Sequence, residues 1–189
     1  MIRQSGIDFA KLPQQAEYDN LMGTYTGAAT IFGATGGVME AALRTVFAVV
    51  TGKNLPSLDI MPVRGLEGVK EAALTVGPLG EVKVAVAHGL ANARKVLDIV
   101  QTGKSPWAFI EIMCCPGGCV GGGGQPLKVS NEKRMLRADA LYREDHDVLA
   151  LRQSHLNPSI TEIYEKFLGE PLGHMSHKLL HTHYVRRGV

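Results

Sequence analysis

The amino-acid sequence predicts an α/β fold, with a parallel or mixed sheet, a βαβ unit and a helical C-terminal tail. Two observations carry the sheet. Residues 81–88 alternate valine with smaller or polar side chains, and residues 107–112 form a short apolar run. Between them, Leu90, Ala93, Val96, Leu97 and Val100 recur at helical spacing. A strand, a helix and a second strand in one sheet make a parallel pair with a right-handed crossover. The third observation carries the tail, since beyond residue 130 the patterns are helical or turn-like.

Composition sets the frame. A chain of 189 residues can bury the core of one or two small domains. Its 45% hydrophobic and 20% charged content is ordinary for a globular protein. A net charge of +2 provides no basic surface for nucleic acid. No apolar run is long enough to span a bilayer, and no stretch reads as a signal peptide. Three clustered cysteines suit a reducing compartment better than a disulfide scaffold. The expectation is a soluble, cytoplasmic protein with neither a nucleic-acid nor a membrane partner.

Taken in order, residues 1–6 read as the last turn of a helix closed by Gly6. Residues 9–20 are polar and irregular, with turn signals at Pro13 and Asp19-Asn20. A glycine-rich stretch, residues 23–37, opens a helix over 38–50. Met39, Ala42, Leu43, Val46, Phe47 and Val50 form its apolar stripe. Glu40 and Arg44 stand at i, i+4 and can pair, and Gly52 can end the helix. Such an opening presents unpaired N–H groups to anything negative. It carries no Gly-Lys-Ser/Thr ending and no G-x-G-x-x-G spacing, so a nucleotide loop is disfavoured.

Residues 59–64 read as a short extended segment, with Pro62 arguing against a central strand. Residues 70–76 and 81–88 flank Gly77-Pro78-Leu79-Gly80, a hairpin turn. After the βαβ unit, residues 131–147 are helical but lack a strong apolar face. Residues 158–168 form a second short helix, capped by Asn157 or Ser159, with Ile160, Ile163, Tyr164 and Phe167 as its stripe. His177 and His181 stand at i, i+4 near the end of the chain, a spacing that zinc sites use. No third ligand accompanies them, and histidines near a helix end also simply meet its dipole.

The chemistry concentrates in residues 113–126, Met-Cys-Cys-Pro-Gly-Gly-Cys-Val-Gly-Gly-Gly-Gly-Gln-Pro, which hold all three cysteines of the chain. Glycine backbone can take positive φ and approach a bulky neighbour closely. Cys115 and Cys119 beside bare backbone suit an iron–sulfur cluster, with amides free to donate to sulfides. The same composition also suits a plain surface loop, or cysteines that are buried or disulfide-bonded. The loop leaves the end of a strand, which is where α/β proteins place their chemistry.

The string Glu-Ile-Met-Cys-Cys-Pro-Gly-Gly-Cys resembles the third cysteine motif of the [FeFe] hydrogenases. The resemblance implies that Cys115 ligates the [4Fe–4S] part of the active-site H-cluster and that Cys119 bridges it to the two-iron subsite. Cys114 stands where the family has alanine and is not counted as a ligand. Residues 26–44 resemble the segment packed against that subsite. Phe32 there lines the pocket, although composition alone equally suits a core aromatic, and the Gly33 N–H faces a diatomic ligand. The resemblance thus places Cys119, Met113 and Phe32 at the catalytic site, with Cys115, Cys119 and Gly33 binding the cofactor.

The tail string Glu-Pro-Leu-Gly-His-Met-Ser-His-Lys-Leu-Leu-His-Thr-His-Tyr resembles the C-terminal extension of bacterial members, which two-chain enzymes carry as a separate small polypeptide. The implied division places a C-terminal portion of the catalytic (H-cluster) domain over residues 1–130 and a small-subunit-like extension over 131–189. The family's other two cysteine motifs do not occur in this sequence. The chain is therefore expected to be a truncated product or one chain of a split enzyme, inactive alone. Its expected partners are an N-terminal portion or companion chain with the other two cysteines, and an electron carrier such as ferredoxin or NAD(P)H-linked subunits. A non-catalytic sensory or cluster-assembly relative, or an inactive fragment, is the alternative.

Overall fold

The computed structural model of the chain describes residues 1–13 and 24–185. Its centre is a three-stranded sheet of order β1-β2-β3, comprising β1 (Val69–Thr75), β2 (Glu81–His88) and β3 (Phe109–Met113). β1 and β2 are an antiparallel hairpin, joined by a 3-10 turn at Gly77–Leu79. β2 and β3 run parallel, bridged by α3 (Leu90–Gln101). The sheet is therefore mixed and contains the expected βαβ unit.

Two α-helices precede the sheet: the one-turn α1 (Gly27–Thr30), and α2 (Gly37–Thr51), which covers one sheet face. Met39 and Leu43 of α2 pack with Val63, Val84 and Val86 as the core. Strand alternation turns Ala85 and Ala87 to the other face. Both are fully buried, and α3 packs against β2 there through Ala93 and Val96. One buried face was expected of β2. Its second half is buried on both, because alanines let a helix come close.

Several expectations change at the edges. The strand predicted over 107–112 begins at Phe109, and it is an edge strand with Phe109 and Ile112 about half exposed. Trp107 lies outside it and donates its indole N–H to Glu71 at 3.0 Å. The apolar stripe of α2 is buried only in its first turns, and Val46 is exposed beside Val49. In α3, Leu90, Leu97 and Val100 are likewise exposed. Among the described residues no further strand or helix covers these faces. Residues 59–64 form a 3-10 turn at Met61–Val63 instead of an extended segment, because Pro62 presets helical φ at its start.

At the amino end, residues 1–6 form a single turn closed by Gly6 at φ +70°. The Ile7 N–H returns to the Ile2 carbonyl at 3.3 Å. A 3-10 turn, Phe9–Lys11, follows where irregular chain was expected, and the turn at Asp19-Asn20 lies outside the described residues.

The tail holds α4 (Asn131–Arg143), α5 (Pro158–Ile163) and α6 (His174–Leu180). α4 runs on into a π-helical turn, Glu144–Val148, and α5 into another, Tyr164–Leu168. Asn157 caps α5 by accepting from the Ser159 N–H at 2.9 Å. Phe167 of the expected stripe is exposed, and Leu168 is buried in its place, since the wider π-turn rotates the following side chains. His177 and His181 stack with ring centroids 4.4 Å apart, and no third ligand joins them among the described residues.

Candidate metal centre

β3 delivers the cysteine loop. The Gly89 N–H donates to the Met113 carbonyl at 2.8 Å, so the loop leaves the sheet at a point held by the start of α3. Cys114 and Cys119 are exposed and Cys115 is partly exposed, and all three are free thiols. No disulfide joins them, and none of the three is buried. The sulfurs also do not converge into a three-ligand cage of their own.

The loop folds on itself by short backbone bonds. The Gly118 N–H donates to the Cys115 carbonyl, and the Gly121 and Gly122 N–H groups donate to the Gly118 and Cys119 carbonyls, each at 3.0 Å. Gly117 and Gly118 take φ values of +82° and +90°, which L side chains rarely adopt. The Gly117 N–H donates to His88 Nδ1 at 3.1 Å. That bond leaves the proton on Nε2, which faces the Leu66 carbonyl at 3.2 Å.

The glycine-rich stretch before α2 forms the opposite wall. Thr26 caps α1 by accepting from the Ala29 N–H, and a 3-10 turn, Ile31–Gly33, follows. The Thr35 N–H donates to the Gly117 carbonyl at 3.0 Å, stitching the two loops together. Between them there is no room for a side chain on Gly118. A Cβ there would lie 2.7 Å from the Thr35 nitrogen, 2.9 Å from the Gly33 oxygen and 2.9 Å from Met113 Sδ. Met113, Gly33 and the cysteine loop are thus brought together. Phe32 stands in the same turn but is 45% exposed, so it is not the core aromatic that composition allowed.

Helix α4 backs the site, although its sequence reads as a solvated surface. Arg137 donates to the Val120 carbonyl at 2.8 Å, and Leu141 is packed over Gly33. Arg134 lies along Gly117 and Gly121, and its buried Nε has no hydrogen-bond partner. A cleft of about 790 Å³ opens between α4 and the segment carrying Asp59, Met61 and Arg64, with Thr35 and Gly117 on its floor.

Two buried charges were missed in the sequence. The Glu111 carboxylate accepts from the Gly36 N–H at 2.6 Å and the Met39 N–H at 2.7 Å. The unpaired amides that open α2 therefore meet the protein's own anion. Lys70 donates to the Thr35 and Gly65 carbonyls. Burial pushes the Lys70 ammonium down to about 8 and pushes the Glu111 carboxyl up. Alternation along each strand was the available signal, because each interrupts an apolar face.

A second charged cluster joins the tail to the rest. Arg44 is fully buried and donates to Glu40 at 2.6 Å and to both oxygens of Asp145, at 2.9 and 2.8 Å. Arg152 bonds Asp145 and Asp59, and Arg64 bonds Glu40 and Asp59. Burial acts to raise Asp145, but the Arg44 and Arg152 donors outweigh it and hold the carboxyl below its usual range. Glu40, Asp59 and Asp145 lie close enough together to hold a metal ion, but three guanidinium groups already meet their charge.

Residues 1–123 match the family profile described as iron only hydrogenase large subunit, C-terminal domain, and residues 131–187 match iron hydrogenase small subunit. The chain belongs to the iron-only hydrogenase family. It is 50% identical over 188 residues to HndD, a component of the NADP-reducing hydrogenase of Solidesulfovibrio fructosivorans, covering 99% of this chain and 32% of that protein. It is 60% identical over 127 residues to the periplasmic [Fe] hydrogenase large subunit of Nitratidesulfovibrio vulgaris, covering 67% of this chain and 30% of that protein. Protein NAR1 of Arabidopsis thaliana is more distant, at 27% identity over 97% of the chain and 40% of that protein.

The fold is that of an [FeFe] hydrogenase. A solved structure of the enzyme HydA1 from Chlamydomonas reinhardtii superposes with a TM-score of 0.67 at 44% identity, covering all of this chain and 53% of that one. This chain thus spans about a third of the curated relatives' length and about half of the solved one. No helix among the described residues is long and apolar enough to cross a membrane, and a periplasmic enzyme stands among the relatives.

The loop fits an iron–sulfur group on its own chemistry. Free, accessible thiols suit iron ligation. The bare glycine backbone is a surface against which an inorganic cluster can pack. A Cβ on Gly122 would come within 3.2 Å of Cys115 Sγ.

Proposed function

We propose that this chain is the C-terminal part of an [FeFe]-hydrogenase catalytic domain, serving 2H⁺ + 2e⁻ ⇌ H₂. In this reading Cys115 and Cys119 are two of the four cysteines of the H-cluster, which comprises a [4Fe–4S] cube and a two-iron subsite. Residues 1–130 are the H-cluster portion and residues 131–189 the small-subunit-like extension. The observation that carries the reading is a pair of free cysteines on a glycine loop whose Gly118 packs tightly against Gly33, Thr35 and Met113.

The two-iron subsite, when bound, supplies the redox chemistry. The chain's residues do the rest. Cys115 and Cys119 would hold the group by their thiolates, Phe32 and Met113 would wall its pocket against water, and the Gly33 N–H would be the donor facing the two-iron part. His88 holds Gly117 by its N–H and Thr35 holds it by its carbonyl. The other two cysteines come from an N-terminal portion or companion chain. Two electrons per H₂ come from a carrier such as ferredoxin or an NAD(P)H-linked subunit.

A second reading, a cluster-assembly or sensory relative without turnover, is supported by the likeness to NAR1. The much higher identity to hydrogenases favours the first. The test is hydrogen evolution with a reduced dye after cluster reconstitution and maturation. This chain combined with the upstream portion of the Solidesulfovibrio relative should evolve H₂, and this chain alone should not. Turnover by the chain alone overturns the half-site. An iron-loaded but inert combination overturns the hydrogenase reading in favour of the second.

A further inference from the structure

Lys70 and Glu111 lie in one row across the sheet. Lys70 on β1 pairs with Val86 on β2, and Val86 pairs with Glu111 on β3. Residues paired in this way share a sheet face, and neighbouring strands lie about 4.8 Å apart. Two opposite charges therefore flank Val86, and both side chains rise toward the start of α2.

What they grip is one peptide. Lys70 Nζ lies 3.3 Å from the Thr35 carbonyl oxygen and 3.4 Å from its hydroxyl. Glu111 Oε1 accepts from the next amide, Gly36, at 2.6 Å. Thr35 in turn donates its own N–H to the Gly117 carbonyl. Lys70 is 4% exposed and Glu111 5%, so each charge is held out of water at a cost. A neutral side-chain oxygen at the cap position would satisfy a helix start without that cost. The pair does more than start α2.

We propose that Lys70 and Glu111 are positioning residues of the metal centre, which fix the Thr35–Gly36 peptide and thereby set the gap between the Gly33 turn and the cysteine loop. The inference rests on the hydrogenase reading of that site. The gap has no slack, since a Cβ on Gly118 would already lie 2.7 Å from the Thr35 nitrogen. Any loosening of Thr35 is passed directly to Gly117 and Gly118, and so to Cys115 and Cys119 on either side.

The test is amide hydrogen exchange on the full, cluster-free chain, comparing wild type with Lys70→Met, Glu111→Gln and the double variant. Exchange at Thr35, Gly118, Gly121 and Gly122 should quicken by about tenfold or more in all three, while the β1–β2 ladder keeps its protection. Equal acceleration in the ladder would make both residues merely core. An unchanged cysteine loop overturns the proposal. So does wild-type protection in the double variant, because the buried charges alone would then explain the single variants. If Lys70→Met does not fold, Glu111→Gln keeps the side-chain size and one acceptor and decides alone. No cluster is present in this measurement, so its outcome is separate from that of the hydrogen assay.

Discussion

Arg44 donates two hydrogen bonds to Asp145, a residue 101 positions further along the chain, at 2.9 and 2.8 Å. Both side chains are fully buried. This bidentate pair, with Arg152 closing its far side, is the main electrostatic tie between α2 and the tail that backs the cysteine loop. Its energy lies less in the attraction than in what breaking it leaves behind, a buried arginine whose remaining counter-charge, Glu40, is already shared with Arg64.

Asp145→Asn should therefore cost about 3–5 kcal/mol of stability. Lys166→Ala, which breaks an exposed i, i+4 pair with Glu162, should cost far less, because water already screens that pair. Urea unfolding of the two variants checks this. Equal midpoints would mean that the buried network does not hold the tail.

Gly118→Ala and Gly52→Ala should differ sharply. Both glycines have positive φ, but a Cβ at Gly52 meets nothing within 4 Å, whereas at Gly118 it meets Thr35, Gly33 and Met113. We expect about 1 kcal/mol for Gly52→Ala, from backbone strain alone. For Gly118→Ala we expect on the order of 2–4 kcal/mol, with loss of iron binding in the assembled enzyme. Thermal melts and iron analysis read both. Retained iron in Gly118→Ala would show that the gap between the loops is adjustable.

Lys70 sets a pH dependence whose sign is fixed. The unfolded chain holds this proton up to 10.5 and the folded chain releases it near 8. Between these values the unfolded state binds more protons, so stability rises with pH. Below pH 8 the buried ammonium costs roughly 3 kcal/mol, and the cost fades toward pH 10.5. Lys70→Met should flatten this part of the profile. Unfolding midpoints on either side of pH 9 in both proteins test it, and parallel profiles would refute it.

In the assembled enzyme, Cys115→Ser and Cys119→Ser should each abolish cluster retention, while Cys114→Ala should be nearly silent. Iron content and the visible absorbance of the cluster report this directly. If Cys114→Ala empties the site as fully as Cys119→Ser, the ligands are assigned one position out of register.

The exposed apolar side chains of α3 and β3, among them Leu90, Leu97, Phe109 and Ile112, should make the isolated chain bind hydrophobic dye and self-associate. Size-exclusion chromatography with and without the upstream portion checks this. A clean, dye-silent monomer indifferent to that portion would mean the surface needs no cover.

Much of this protein is legible in its sequence. The period-two pattern of β2, the helical stripe of α3 and the turn at Gly77–Leu79 are local signals, set by which side chains each backbone places on one face. The cysteine motif marks the site because three cysteines and six glycines in one loop exclude an ordinary helix or strand. The Glu40–Arg44 pair is legible too, but not that it is buried.

Tertiary structure alone decided the rest, because each remaining feature joins residues distant in the chain. Lys70 and Glu111 interrupt the apolar alternation of their strands, but only strand register brings them to either side of Val86. Asp145 sits in a charged run without an apolar face, and only docking against Arg44 takes it out of water. The apolar stripes of α2 and α3 show which side chains could be buried. Which of them are buried depends on what packs over them, and a periodic pattern holds no information about that.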